Sequence, residues 1–134
     1  MMPRMHWALG VFLLVVLSAG VVDGHHSFFG EFDIHQPLTI TGTITKVEWM
    51  NPHIRFVVDV MGRGGKVTTW TFSGDGASAL ARRGVTETML KVGDVIKIDG
   101  YRALDGSFTA AAGAVTLPNR KRVFVGPLQE PTPI

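Results

Sequence analysis

The histidines are the side chains with the clearest chemistry in this sequence. Beyond the amino-terminal apolar stretch the chain carries His25, His26, His35 and His53. Imidazole titrates near physiological pH and is the commonest metal ligand in proteins. If His25 were the first residue of a processed chain, its α-amine and ring nitrogen could chelate a cation, with the other histidines supplying further nitrogens. This pattern makes copper or zinc the candidate cofactor; the alternative is that the pair His25 and His26 is a solvated chain end.

Aromatic and polar side chains also gather at two predicted strand ends. Pro52 fixes a turn and holds the residue before it in an extended conformation, and a second group of such side chains follows Gly100. The predicted ligand-binding residues are Trp49, Asn51, His53, Tyr101 and Arg102. For the histidine of this set, the alternative is a structural hydrogen bond to a loop carbonyl.

Nothing in the sequence predicts a catalytic centre. The carboxylates are scattered, Ser27 and Ser73 have no identifiable base partner, and there is no His-Glu-x-x-His zinc motif. The chain has no cysteine, which excludes a thiolate metal site, a cysteine nucleophile and a lipoprotein anchor. We therefore predict no catalytic residue and a function that is not enzymatic.

The charge of the chain does not favour nucleic acid as a partner. The formal net charge is only +2, whereas nucleic-acid binding usually needs clustered Lys and Arg. Two short basic runs stand out, residues 82–83 and residues 120–122. We interpret the first as a solvated helix end and the second as a solvated turn.

The first residues predict an export signal. Arg4 precedes an unbroken apolar run at 8–17, and small residues follow at 18–20, which is the pattern of a secretory signal peptide. Even extended to residue 22, the run is shorter than the ~20 residues that a membrane-spanning helix needs, although an uncleaved anchor is the alternative. We predict a signal peptide at 1–24, cleaved between 19 and 24, and hence a periplasmic or secreted protein that is not held in a membrane after cleavage.

Five later segments alternate apolar and polar side chains with the period of a β-strand. They span residues 38–49, 53–60, 67–72, 95–101 and 108–117, and residues 123–125 could add a short edge strand. In the first segment the apolar residues are at even-numbered positions up to Ile44 and at odd-numbered positions from Val47. A strand can make this change only through an extra residue, that is, a bulge. In the third, Trp70 and Phe72 share one face, and we interpret them as core.

One helix is predicted between the third and fourth strands. Asp75 would cap it, and Gly84 would end it in the left-handed conformation. The order of elements predicts a mainly β domain at 25–126, a small five-stranded barrel similar to the OB-fold; an open sheet with a helix on one face is the alternative. The proline-rich tail at 127–134 is predicted to be flexible.

Several motifs give the chain a resemblance to a known family. The most specific are His-His-Ser-Phe at 25–28 and Trp-x-Asn-Pro-His at 49–53, and Gly-Tyr-Arg-Ala at 100–103 is a further one. Together they resemble a family of small exported bacterial proteins of unknown function. The resemblance implies export and a barrel fold, and it implies no activity.

These observations favour an exported, non-enzymatic binding or accessory module for an unknown periplasmic ligand or protein. Its groove would be lined by the loops at 49–53 and 99–105, and it would act as a monomer. One alternative is a copper- or zinc-binding protein that uses the amino-terminal histidine pair with His53. Another is an oligonucleotide or glycan binder with an aromatic face.

Overall fold

The computed structural model of this chain describes residues 31–127. The strands in this range are β1 (Phe32–Glu48), β2 (Arg55–Met61), β3 (Val67–Ser73), β4 (Val95–Ala103), β5 (Thr109–Thr116) and β6 (Arg122–Phe124). One α-helix of the described range, α1 (Ala77–Arg82), lies between β3 and β4, and 3-10 turns occur at Arg63–Gly65 and Glu87–Met89. The mainly β class and the position of the helix are confirmed. No helix within residues 31–127 has the length and apolar character to span a membrane.

The strand pairings close on themselves. β1 pairs antiparallel with β2 and β4, β2 pairs with β3, and β4 pairs with β5. The two ends of this series are then joined, because β3 pairs parallel with β5 through residues 71–73 and 109–111. The result is a five-stranded ring in the order β1-β2-β3-β5-β4, which joins the two edges that an open sheet would leave unpaired. β6 extends β5 outside the ring.

β1 pairs with both β2 and β4, and the face on which its apolar side chains lie changes partway along the strand. Its pairing with β2 shifts register between Ile44 and Lys46, so Thr45 is the extra residue of a bulge. The predicted bulge is therefore confirmed. β1 begins earlier than predicted, at Phe32, because this residue pairs with Ala103 at the end of β4.

An apolar core fills the ring. Its largest fully buried side chains are Phe56, Phe72, Ile44, Ile54, Leu80, Ile96, Ile98, Val58, Val115 and Val125. Leu80 comes from α1, so the helix covers one end of the ring. No polar or charged residue in the described range is fully buried, and stability must come from apolar burial and backbone pairing.

The start of α1 differs from the prediction. Asp75 does not cap the helix: the N-cap residue is Gly76, and Oδ2 of Asp75 accepts a hydrogen bond from Nη2 of Arg83 at 2.6 Å. The side-chain acceptor comes instead from Asn51, whose Oδ1 accepts the N–H of Ser78 at 3.0 Å, while its Nδ2 donates to Ser78 Oγ at 2.8 Å. The prediction of Asp75 was wrong because a residue distant in sequence supplies the acceptor at the helix start.

Candidate functional site

An open groove lies at the rim of the ring, near the beginning of β1. It has a volume of about 290 Å³. Its lining residues are Gln36, Pro37, Leu38, Ile40, Trp70 and Arg102. α1 lies near the other end of β1, since Ala77 donates its N–H to the carbonyl of Met50. The helix therefore closes one end of the core, and the groove lies at the other.

Strand alternation explains how a charged residue reaches this rim. On β4, Ile96 and Ile98 are buried in the core. Arg102 is four residues after Ile98. Because side chains alternate along a strand, it therefore lies on the same inward face, nearer the end of β4. Trp70 of β3 pairs with Val58 of β2, which is fully buried. Directly paired residues point to the same face of a sheet, so the side chain of Trp70 is also on the inward face.

The guanidinium of Arg102 is held against the indole. Its central carbon lies 5.6 Å from the centroid of the Trp70 ring, within the range of a cation–π contact. Its Nη2 donates to the carbonyl of Gly106 at 2.9 Å. Its Nε is buried and has no hydrogen-bond partner within the described part of the chain. A buried donor without a partner is costly, so a side-chain movement that brought this Nε to a ligand acceptor would be stabilising.

The β4–β5 turn fixes the carbonyl that Arg102 contacts. Asp105 Oδ1 accepts a hydrogen bond from the backbone N–H of Ser107 at 2.9 Å, and the N–H of Gly106 donates to the carbonyl of Ala103 at 3.2 Å. Hydrogen bonds from the side chain and backbone of Ser107 hold the pKa of the Asp105 carboxyl below its usual value. The sequence Leu-Asp-Gly-Ser at 104–107 predicts a hairpin turn, and this turn is confirmed. It is closed by its own hydrogen bonds.

Aromatic rings lead from the core to the groove. Phe72 is fully buried, as predicted, and its ring lies 6.2 Å from that of Trp70. Trp70 in turn meets the ring of Phe108 edge-on at 5.3 Å, and Phe108 is 55% exposed. Trp70 is only partly buried, because it stands where the core reaches the rim. The prediction of Trp70 as a core residue is therefore confirmed only in part, because its side chain packs against the core and also lines the groove.

The segment Trp49 to His53 lies at the opposite end of β1 from the groove, and its contacts are structural. Trp49 is partly buried against the core, and Asn51 holds the start of α1. The Nδ1 of His53 lies 3.1 Å from the carbonyl oxygen of Gly74. Because a carbonyl can only accept, Nδ1 carries the proton in this contact, and the hydrogen-bond alternative for His53 is confirmed.

Tyr101 does not line the groove. Its side chain is 5% exposed and belongs to a small outer cluster with Phe32, Ala103 and Ala111. Tyr101 pairs with Pro37 near the start of β1. The structure therefore places Arg102 in the groove, Tyr101 on the outer face of the sheet, and the other three predicted ligand residues at the far end of the ring.

The histidines in the described range do not converge. His35 is exposed near the start of β1, where its backbone N–H donates to Asp33 Oδ1 at 2.9 Å. This bond, and one from Gln36, hold the pKa of the Asp33 carboxyl below its usual value. His53 follows the other end of β1. Residues 31–127 contain no group of three or more His, Cys, Asp or Glu side chains that could hold a metal ion.

The predicted metal ligands His25 and His26 lie outside the described residues, as does the predicted signal peptide at 1–24. Of the predicted tail at 127–134, only residue 127 is described.

Fold and site together define a class: a mainly β protein built on a closed ring of five strands, with an aromatic and cationic groove at its rim. Family comparison adds to this. The chain belongs to a family of unknown function, DUF6152, whose model matches residues 13–112. The membership in a family of unknown function that the motifs predicted is thus confirmed. No curated protein matches the chain.

Proposed function

We propose that this protein is an exported, non-enzymatic binding module that holds its ligand in the rim groove of Trp70 and Arg102. The observation that carries the proposal is the buried, unpartnered Nε of Arg102 in a groove wall shared with an indole. Leu38 and Ile40 add an apolar wall on the β1 side. Binding sites commonly combine such apolar walls with a small number of placed polar groups.

The chemistry of the groove favours a planar anion. A guanidinium matches the geometry of a carboxylate, and it remains charged at any physiological pH. The indole and the two aliphatic side chains suit a flat apolar body. At about 290 Å³, the groove lies at the small end of ligand pockets, which run from about 300 to 1,000 Å³. A small aromatic carboxylate therefore fits better than a bulky molecule.

Benzoate is a suitable probe for this proposal. We expect a saturable titration in which the indole N–H signal of Trp70 and the Nε–H signal of Arg102 shift in NMR spectra. Arg102→Gln removes the charged donors, and we expect binding about tenfold weaker or worse. Arg63→Gln is the matched control, since it makes the same change in the exposed turn after β2 and should leave the affinity within about twofold.

Two results would contradict the groove assignment. One is equal affinity for benzoate in the Arg102→Gln protein and in the native protein. The other is equally tight binding of benzylamine, which has a similar ring and the opposite charge, because a site built around a guanidinium must discriminate against a cation.

Copper or zinc binding is a second proposal, with His25, His26 and His53 as ligands. It is supported by the hydrogen bond from Nδ1 of His53 to Gly74, which orients the ring and leaves Nε2 as the nitrogen with a free lone pair. His53 is an exposed residue, as a ligand to an ion that enters from solvent must be. His35, at the other end of β1, is the less suitable fourth ligand.

One measurement tests export and metal binding together. We expect the intact mass of protein secreted by a bacterial host to correspond to a chain that starts between residues 20 and 25. We also expect this processed protein to take up copper or zinc in a titration, and His53→Ala to weaken that binding. Failure of the host to secrete the protein would refute export, and secreted material that retains residues 1–17 would refute cleavage of the signal peptide. Affinity no tighter than about 1 μM would refute the metal proposal.

A further inference from the structure

Two basic runs that are far apart in sequence meet at one cleft. Arg83 follows the last residue of α1, whereas Lys121 immediately precedes β6 and Arg122 is its first residue. These three residues line a cleft of about 250 Å³. The remaining lining residues are Gly84, Val85, Val123 and Phe124. We call this site the basic cleft. It contains no acidic lining residue and shares no lining residue with the groove of Trp70 and Arg102.

The cations of the basic cleft keep donors available for a ligand. Nη2 of Arg83 contacts Asp75 at 2.6 Å, and Nη2 of Arg122 contacts Asp99 at 3.3 Å. A guanidinium has five N–H donors in a planar fork, so each arginine can bind an anion and keep its carboxylate. Lys121 makes no ion pair with any residue in the described range. Its ammonium is therefore free to contact an anion.

The backbone at the end of α1 opposes an anion less than an uncapped helix end would. The carbonyl of Leu80 accepts N–H groups from Arg83 at 3.0 Å and Val85 at 2.9 Å, and the carbonyl of Ala81 accepts that of Gly84 at 3.0 Å. These bonds engage two of the four carbonyl groups that lack a partner within the helix at its carboxyl end and carry partial negative charge there. Gly84 permits this closure with φ of +78°, as the sequence predicted.

The cleft combines its charge with apolar surface. Val85 and Val123 are 6% and 5% exposed and form part of its lining. Phe124 is 53% exposed, and the guanidinium of Arg122 lies 5.6 Å from its ring centroid. Such a contact favours one orientation of an otherwise mobile side chain. An anion bound here would therefore find an exposed ring and apolar carbon next to its charged group.

We propose that the basic cleft binds a phosphate group carried on an apolar body. Phosphate oxygens are the acceptors that arginine forks and a lysine ammonium together suit best. The apolar body would lie against Phe124. Two sources share this chemistry, the headgroup region of an anionic phospholipid and a soluble organic phosphate, and separate probes can distinguish them.

The test uses two probes and two matched double variants. Vesicles of phosphatidylglycerol represent the lipid source, with phosphatidylcholine vesicles as the reference, and phenyl phosphate represents the soluble source. Arg83→Gln with Lys121→Gln removes one charge from each side of the cleft. Arg63→Gln with Lys66→Gln removes the same charge from the exposed β2–β3 turn. The native protein and both double variants share residues 1–30, so any difference in vesicle binding between them belongs to the substituted positions.

We expect the cleft variant to bind phosphatidylglycerol vesicles or phenyl phosphate about tenfold more weakly or worse, and the turn variant to stay within about twofold of the native protein. Loss with vesicles alone assigns the lipid source, and loss with phenyl phosphate alone assigns the soluble one. Lys121→Glu is a second variant, because it reverses a charge without disturbing an ion pair, and it should weaken binding more than Lys121→Gln. Equal losses in the two double variants, or no binding of either probe by the native protein, would overturn the proposal.

Discussion

Replacing Phe72 by Ala is expected to lower the free energy of unfolding by about 3–5 kcal/mol. The side chain is fully buried, and its ring stacks on that of Phe56 at 5.3 Å and lies 6.2 Å from that of Trp70. β3 is paired on both sides, with β2 and with β5. Because neither neighbour can move inward freely, the cavity left by the ring should persist rather than collapse. Urea unfolding followed by circular dichroism measures the loss.

Phe124→Ala is the matched control, since it deletes the same atoms from a side chain that is 53% exposed. Its cost should remain below about 1 kcal/mol. Similar losses for the two variants would mean that the ring of strands does not enclose the core described above. Phe72→Ala should also shift the indole N–H signal of Trp70, because Phe72 is the ring on which this part of the groove rests.

Gly100→Ala is expected to destabilise the protein by about 2–3 kcal/mol. Gly100 lies in β4 where the pairing with β5 shifts register. A Cβ at this position would collide with the carbonyl oxygen of Ala111 and press on Cα of Ala112. These atoms are backbone, so the strand itself must move to relieve the contact. The effect is steric only, because Gly100 is not one of the positive-φ glycines of the described chain.

Gly62→Ala provides the comparison for this prediction. Gly62 also has an extended backbone, and the nearest atom to an added Cβ is the Lys66 carbonyl oxygen at 3.3 Å. We expect a loss below about 1 kcal/mol for this variant in the same urea experiment. Because Arg102 lies two residues after Gly100, Gly100→Ala should also weaken benzoate binding. An unchanged stability in Gly100→Ala would show that β4 and β5 are further apart than described.

Several elements could be predicted because their signals are local. The bulge in β1 follows from a phase change in side-chain alternation at Thr45, and alternation is a property of the strand itself. The end of α1 at Gly84 and the turn around Gly106 depend on glycines with positive φ, which is again a local requirement. Where the prediction depended on a partner, it failed. Asp75 was assigned the cap of α1, and Asn51 provides the acceptor.

The candidate site was predicted only in part for the same reason. Arg102 was identified from its place at a strand end, but its contact with Trp70 connects two strands, β4 and β3, that are not direct neighbours in the ring. Trp70 was interpreted as core because its spacing from Phe72 matches an inward face. Spacing shows which face a side chain occupies. It does not show how far the core extends along that face.

By itself, the amino-acid sequence determined the β class, the order of the elements, the bulge, the turns and the absence of any thiol chemistry. These follow from side-chain periodicity and residue type, which act within a few residues. Only the tertiary structure decided that β3 pairs with β5, that Trp70 contacts Arg102, and that Arg83, Lys121 and Arg122 line one cleft. The first two cases join strands of the ring, and ring closure depends on the pairing and twist of all five strands together. The third brings the end of α1 to β6, which lies outside the ring.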